Sequence, residues 1–208
     1  MEWKIQDKLI LIGDSITENG RFEDPEDVGI GYASFIHHYL TVKHPEAKLQ
    51  ILNKGISGDR ITDLEARWDR DVLAHKPDWV SISIGINDVW KQFEHPEMEQ
   101  VDIQRFEQTY EYLIKQTLEQ TEAKIILMEP TIIEEHADSD ENLALKSYVE
   151  VVHRLAETYK LLLVPTHQAF ISYLNSESPV PLTTDGVHMN TKGDILMAST
   201  WLETFYKG

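Results

Sequence analysis

Leu9-Ile10-Leu11-Ile12-Gly13-Asp14-Ser15 reads as a buried strand that runs into a tight turn. Four consecutive apolar residues leave no polar face, so both sides of such a strand must be covered, as they are in a parallel sheet between helices. Gly13 ends the run, and the turn carries Ser15 out at the strand's carboxyl end. That edge is where open α/β sheets bind ligands.

The same pattern continues along the chain. Apolar runs at residues 8–12, 49–52, 79–84, 124–128 and 161–164 are separated by longer stretches with helical periodicity. Tyr32, Phe35, Ile36, Tyr39 and Leu40 share one helix face, and Ile61, Leu64, Trp68 and Val72 share another. Phe106, Tyr110, Leu113, Ile114 and Thr117 mark a third helix, and Leu145, Tyr148, Val149, Val152, Leu155, Ala156 and Tyr159 a fourth. Thr191 is placed to cap a last helix to about Tyr206, with Ile195, Leu196, Ser199 and Leu202 at core spacing. Strands alternating with helices demand right-handed crossovers, so a three-layer α/β/α sandwich on a five-stranded parallel sheet is expected. No Pro/Gly/Ser-rich linker divides residues 1–208, and one domain is expected. The stretches 19–30, 85–97, 131–140 and 176–190 read as irregular and should gather beside Ser15.

Composition narrows the chemistry. Nineteen Lys and Arg against 36 Asp and Glu give a formal charge of -17, which repels polyanions and argues against nucleic acid or an anionic membrane as partner. The absence of cysteine excludes disulfides, a thiol nucleophile and cysteine-ligated zinc. Residues 1–6 lack a basic segment followed by a long apolar stretch, so a cytoplasmic location is expected. Neither the adjacent His37 and His38 nor the other histidines show a spacing that compels a metal site, and no metal is expected.

A serine hydroxyl needs a base, a group to orient that base, and donors for the developing oxyanion. Asp185 and His188 stand three residues apart, so one helical turn would put both on one face, with the carboxylate accepting from Nδ1–H and Nε2 free to face Ser15. Gly58, in the turn after the second strand, can bring a backbone N–H close to a ligand. Asn87, after the third, can donate from a neutral amide, and the Ser15 N–H would make a third donor. Gly55-Ile56-Ser57-Gly58-Asp59 lacks the final glycine of a nucleophile elbow, so Ser57 is read as structural. Asp14 and Asp88 are placed to brace their loops, although Asp14, with Arg60, Trp90 and Phe93, is also a candidate substrate contact.

Gly13-Asp14-Ser15, Gly58, Gly85-Ile86-Asn87-Asp88 and Asp185-Gly186-Val187-His188 together resemble the four blocks of the SGNH hydrolases, the GDSL esterase/lipase family, with Ile16 where the family name has leucine. The resemblance implies a flavodoxin-like sandwich, no cofactor, Ser15, Asp185 and His188 as catalytic residues, and Ser15, Gly58 and Asn87 as the oxyanion hole. Residues 53–58, Asp63-Leu64, Ala66-Arg67-Trp68, Lys76-Pro77-Asp78-Trp79 and 85–90 are similar to the acetylxylan-esterase branch, which implies deacetylation of a small acetylated sugar. A broader lipase, thioesterase or lysophospholipase is the alternative, and a non-catalytic carbohydrate-binding protein on the same fold is a second. Trp201 and Tyr206 fit either core or a subunit contact, so a homo-oligomer is compatible with the sequence.

Overall fold

Strands Lys8–Gly13 (β1), Gln50–Gly55 (β2), Trp79–Ser83 (β3), Lys124–Met128 (β4) and Leu162–Val164 (β5) form one parallel sheet in the order β2-β1-β3-β4-β5. The computed structural model describes residues 3–177 and 179–207. Leu9 to Ile12 are wholly buried, as the unbroken apolar run requires, while edge strand β2 alternates exposed or half-buried residues with buried ones. This is the flavodoxin-like order, and its strand sequence reverses between β1 and β3. Ser15 follows β1 and Asn87 follows β3, so the candidate residues flank the crevice that the topology opens.

Tyr32–Lys43 (α2) packs against Thr191–Lys207 (α8), whereas Ile61–Asp71 (α3), Ile103–Gln120 (α5) and Asp140–Tyr159 (α6) pack in series. Three helices were not expected: the single turn Ser15–Glu18 (α1), Ile86–Glu94 (α4) and Thr166–Leu174 (α7). The stretch 85–97, expected to be irregular, is therefore largely helical, and Trp90 and Phe93 lie on a helix rather than a loop. Its cue is slight, because Asn87 and Asp88 are poor helix formers that here sit buried in the first turn. Strand β2 also runs on through Asn53 to Gly55, beyond the apolar run at 49–52.

Helix α8 buries a different face from the expected one. Asp194, Met197, Ala198, Trp201 and Phe205 are inside, Ile195 is exposed, and Leu196, Ser199 and Leu202 are only half-buried. Trp201 and Phe205 carry more apolar area than Ile195 and Leu202, so their burial sets the rotation of the helix. The Trp201 indole donates to Ser81 Oγ at 2.9 Å and its ring stacks on Phe205, which assigns Trp201 to the core. Asn190, not Thr191, caps α8, its Oδ1 accepting from the Lys192 N–H at 2.9 Å. On α2, Tyr39 lies outside the core.

Candidate active site

Ser15 opens α1 directly after β1, so its backbone N–H has no intrahelical acceptor. The turn can start there only because residue 13 is glycine. A Cβ on Gly13 would lie 2.2 Å from the Ser83 carbonyl oxygen of β3 and 2.3 Å from Thr17 Oγ1. The serine is thereby held against the third strand.

The Ser15 Oγ lies 2.9 Å from His188 Nε2, and His188 Nδ1 lies 2.7 Å from Asp185 Oδ2. The two ends of the chain thus close into one hydrogen-bonded line. Residues 184–188 are not helical, contrary to the expectation from their spacing. Asp185 Oδ1 instead accepts from the N–H groups of Val187 (3.0 Å) and His188 (2.8 Å), folding the segment into an Asx turn that presents the imidazole to the other carboxylate oxygen. Partial burial pushes the Asp185 carboxyl up, but those N–H donors and the imidazole outweigh it and hold the group below the usual carboxylate range. The carboxylate therefore stays ionised, favours the Nδ1–H tautomer and leaves the Nε2 lone pair towards Ser15. Trp90 meets the imidazole edge-on, with ring centroids 6.0 Å apart.

Gly58 and Asn87 converge on the same turn. Asn87 Nδ2 donates to the Asp59 carbonyl at 3.0 Å, which orients the amide and leaves its second proton available. Gly58 has φ +82°, a left-handed conformation that glycine adopts without strain, and its N–H makes no hydrogen bond among the described residues. Lys91, one turn along α4 from Asn87, donates to the Gly58 carbonyl at 2.6 Å. Three N–H donors near a serine and its base can stabilise a tetrahedral oxyanion.

Beneath these groups lies a buried polar layer. Asp14 is 2% exposed, and its Oδ1 accepts from the Ile16 N–H at 3.0 Å. It caps α1, in keeping with its expected bracing role. Asp88 accepts from the Ile61 N–H at 3.1 Å, capping α3 from α4, as its expected bracing role requires. Burial is the main cause that pushes both carboxyls up to about 7, and each is raised further by a neighbouring aspartate. A folded-state pKa above the unfolded value means that the native state keeps the proton longer, so the contribution of these two groups to stability is full below about pH 4 and is lost as pH rises through about 7. Asp88→Asn keeps a carbonyl acceptor for Ile61 but has no charge to bury. Its urea midpoint is expected to fall less than that of the unmodified chain between about pH 5 and about pH 8; parallel falls would contradict this.

Arg67, on α3, is the functional support that the sequence reading passed over. Only 7% exposed, it donates to Asp59 Oδ2 (2.7 Å), the Lys54 carbonyl (2.8 Å), Asp71 Oδ2 (2.9 Å) and the Gly13 carbonyl (3.0 Å). It ties the nucleophile turn to the turn that carries Gly58. An arginine three residues after Leu64 and beside Trp68, on an otherwise apolar helix face, was the available signal.

The remaining candidates divide. Arg60 Nη1 donates to the Glu99 carbonyl at 2.7 Å and its Nε lies 3.6 Å from Asp63 Oδ2, so the side chain links Glu99 to the first turn of α3. Phe93 is exposed, one turn beyond Trp90. Ser57 donates to Glu18 Oε2 at 2.7 Å, in keeping with a structural role. Among the described residues, Glu26, His37 and His38 bring three possible metal donors within 4.8 Å of one another, but they share no residue with the Ser15 cluster.

The GDSL-like lipase/acylhydrolase family matches residues 11–194. An acetylxylan esterase from Geobacillus stearothermophilus is 38% identical over 203 residues, covering 94% of this chain and 92% of that protein. A crystal structure of a catalytic mutant of a Geobacillus stearothermophilus acetylxylan esterase superposes with a TM-score of 0.91 at 37% identity, over 98% of this chain and 96% of that one. An alpha/beta hydrolase enzyme from the metagenome of Lake Arreo, Spain, superposes with a TM-score of 0.89 at 33% identity, over 97% and 96%.

Proposed function

The chain belongs to the GDSL-like lipase/acylhydrolase family, and from that premise we propose that it removes acetyl groups from xylo-oligosaccharides through an acyl-enzyme on Ser15. It is a serine carboxylic-ester hydrolase. The observation that carries the mechanism is the line Ser15 Oγ, His188 Nε2, His188 Nδ1, Asp185 Oδ2, with both contacts within hydrogen-bonding distance.

Ser15 Oγ attacks the acetyl carbonyl carbon while His188 Nε2 takes its proton. The carbonyl oxygen becomes an oxyanion held by the N–H groups of Ser15 and Gly58 and by the Asn87 amide. Asp185 stabilises the imidazolium, which then passes its proton to the departing sugar oxygen as the C–O bond breaks. Water, deprotonated by His188, then attacks the acetyl-serine; as the bond from Oγ to the acyl carbon breaks, the imidazolium returns the proton to Ser15 Oγ and acetate leaves. Every proton is accounted for by one imidazole, and these steps use no metal or organic cofactor.

Similarity over nearly the whole chain to an acetylxylan esterase supports the substrate. Trp90 offers an aromatic face beside His188, where a sugar ring can stack. No helix among the described residues is long and apolar enough to cross a membrane. Initial rates on acetylated xylo-oligosaccharides, other acetyl sugars, and aryl acetates, butyrates and octanoates test the proposal. The expected order is acetyl over butyryl over octanoyl, with acetylated xylo-oligosaccharides the best sugar esters. A preference for octanoyl would replace deacetylation with a broader acylhydrolase, and turnover confined to another acetyl sugar would move the sugar assignment.

A further inference from the structure

The turn that carries Asp185 and His188 belongs to no helix or strand, and its only regular pairing is an isolated bridge between Thr183 and Met189. Its position has to come from elsewhere. Glu135, in the loop between β4 and α6, reaches across to it. Glu135 Oε1 accepts from the N–H groups of Leu182 (2.8 Å) and Thr183 (2.6 Å) and from the Thr183 hydroxyl. The same hydroxyl oxygen accepts from the Gly186 N–H at 3.1 Å, inside the catalytic turn. The neighbouring Glu134 N–H donates to the Gly186 carbonyl at 2.8 Å, and the Thr184 N–H to the His188 carbonyl at 2.8 Å.

The loop that carries Glu135 is itself anchored. Asn142, fully buried on α6, accepts from the Ile133 N–H at 2.9 Å and donates to the carbonyls of Glu134 (3.0 Å) and His136 (2.9 Å). A continuous path therefore runs from a core helix through Glu135 and Thr183 to the turn that aims the imidazole. A carboxylate receiving three donors makes charge-assisted bonds, roughly twice as strong as neutral ones. No other carboxylate among the described residues bonds Leu182 or Thr183.

We propose that Glu135 is a positioning residue of the esterase, a clamp that sets the Asp185–His188 turn against Ser15. It touches neither ester nor base; it acts by fixing where His188 Nε2 lies. This rests on the assignment of Ser15 as nucleophile. Misplacing a base by about 1 Å costs on the order of 10²-fold in rate, so losing the clamp belongs in kcat, with KM little changed.

The test compares Glu135→Ala, Glu135→Gln and Thr183→Val with the unmodified enzyme, in aryl acetate kinetics and in backbone amide exchange. Glu135→Ala is expected to lower kcat by about 10- to 100-fold with KM within about twofold, and to speed exchange at residues 182–188 while β1 and β3 stay protected. Glu135→Gln, which retains an acceptor oxygen, is expected to recover most of the rate, and Thr183→Val to reproduce part of the loss. An unchanged kcat in Glu135→Ala overturns the clamp. A lower kcat with exchange at 182–188 unaltered overturns it as well, and so does a loss of protection spread evenly over the sheet. Failure of the esterase assignment would look different: an organophosphonate would leave Ser15 of the unmodified enzyme unlabelled, whatever exchange shows at residues 182–188.

Discussion

Ser15→Ala is expected to reduce kcat on an acetyl ester by about 10⁶-fold, the scale of loss when a triad nucleophile is removed. The substitution deletes one oxygen from a half-buried position at the start of α1, where Asp14 still caps the turn and Gly13 still fits under Ser83. Folding should therefore be little affected, and the loss is chemical. His188→Ala is expected to cost a similar factor, and the double variant no more than either alone, because a serine without its base and a base without its serine are equally idle. Single-turnover kinetics with an aryl acetate measure both. Acetylation that proceeds in Ser15→Ala at more than about a hundredth of the normal rate would place the nucleophile elsewhere.

Asp185→Asn should rank second, at on the order of 10⁴-fold in kcat. An asparagine can keep its carbonyl oxygen on the Val187 and His188 N–H groups, so the Asx turn survives. Its NH₂ then faces His188 Nδ1 across the present 2.7 Å contact. Two donors cannot share that contact, so the ring gives up its Nδ1 proton and carries it on Nε2 instead. The nitrogen facing Ser15 becomes a donor that cannot take the hydroxyl proton. Nitrogen-15 chemical shifts of the imidazole report the tautomer directly; a wild-type tautomer combined with near-normal rate would remove Asp185 from the mechanism.

How far the sequence could be read depended on whether the decisive contacts were local. The run Leu9 to Ile12 and its counterparts in β3 and β4 give the centre of the parallel sheet, because burial on both faces leaves a mark on nearly every residue of a strand, while the edge strands β2 and β5 are only partly buried. Ser15, Asn87, Asp185 and His188 were legible because their chemistry is scarce and each stands after or beside a recognisable element. Helix α4 was not, since Asn87 and Asp88 favour turns in isolation and become helical only when buried beside α3. The face of α8 was misjudged for a related reason: four positions at helical spacing outweighed two aromatic rings, whereas buried area decided in favour of the rings. The roles of Glu135 and Arg67 depend on contacts that no local pattern specifies. Glu135 bonds Leu182 and Thr183, 47 and 48 residues on, and Arg67 bonds the Gly13 carbonyl 54 residues back; the apolar face around Arg67 marks it as unusual but not what it holds.

Arg67 also divides the site into two mechanical halves. Its guanidinium holds Gly13, Lys54 and Asp59 at once, so the serine turn and the oxyanion turn are bolted to a single mount. The imidazole arrives on a separate arm. The Ser15 turn and the Gly58 turn are therefore set by one side chain, and the imidazole by another set of bonds that runs through Thr183 and Glu135. A substitution that loosens Arg67 then disturbs the charge-stabilising half of the site, and one that loosens Glu135 the proton-collecting half.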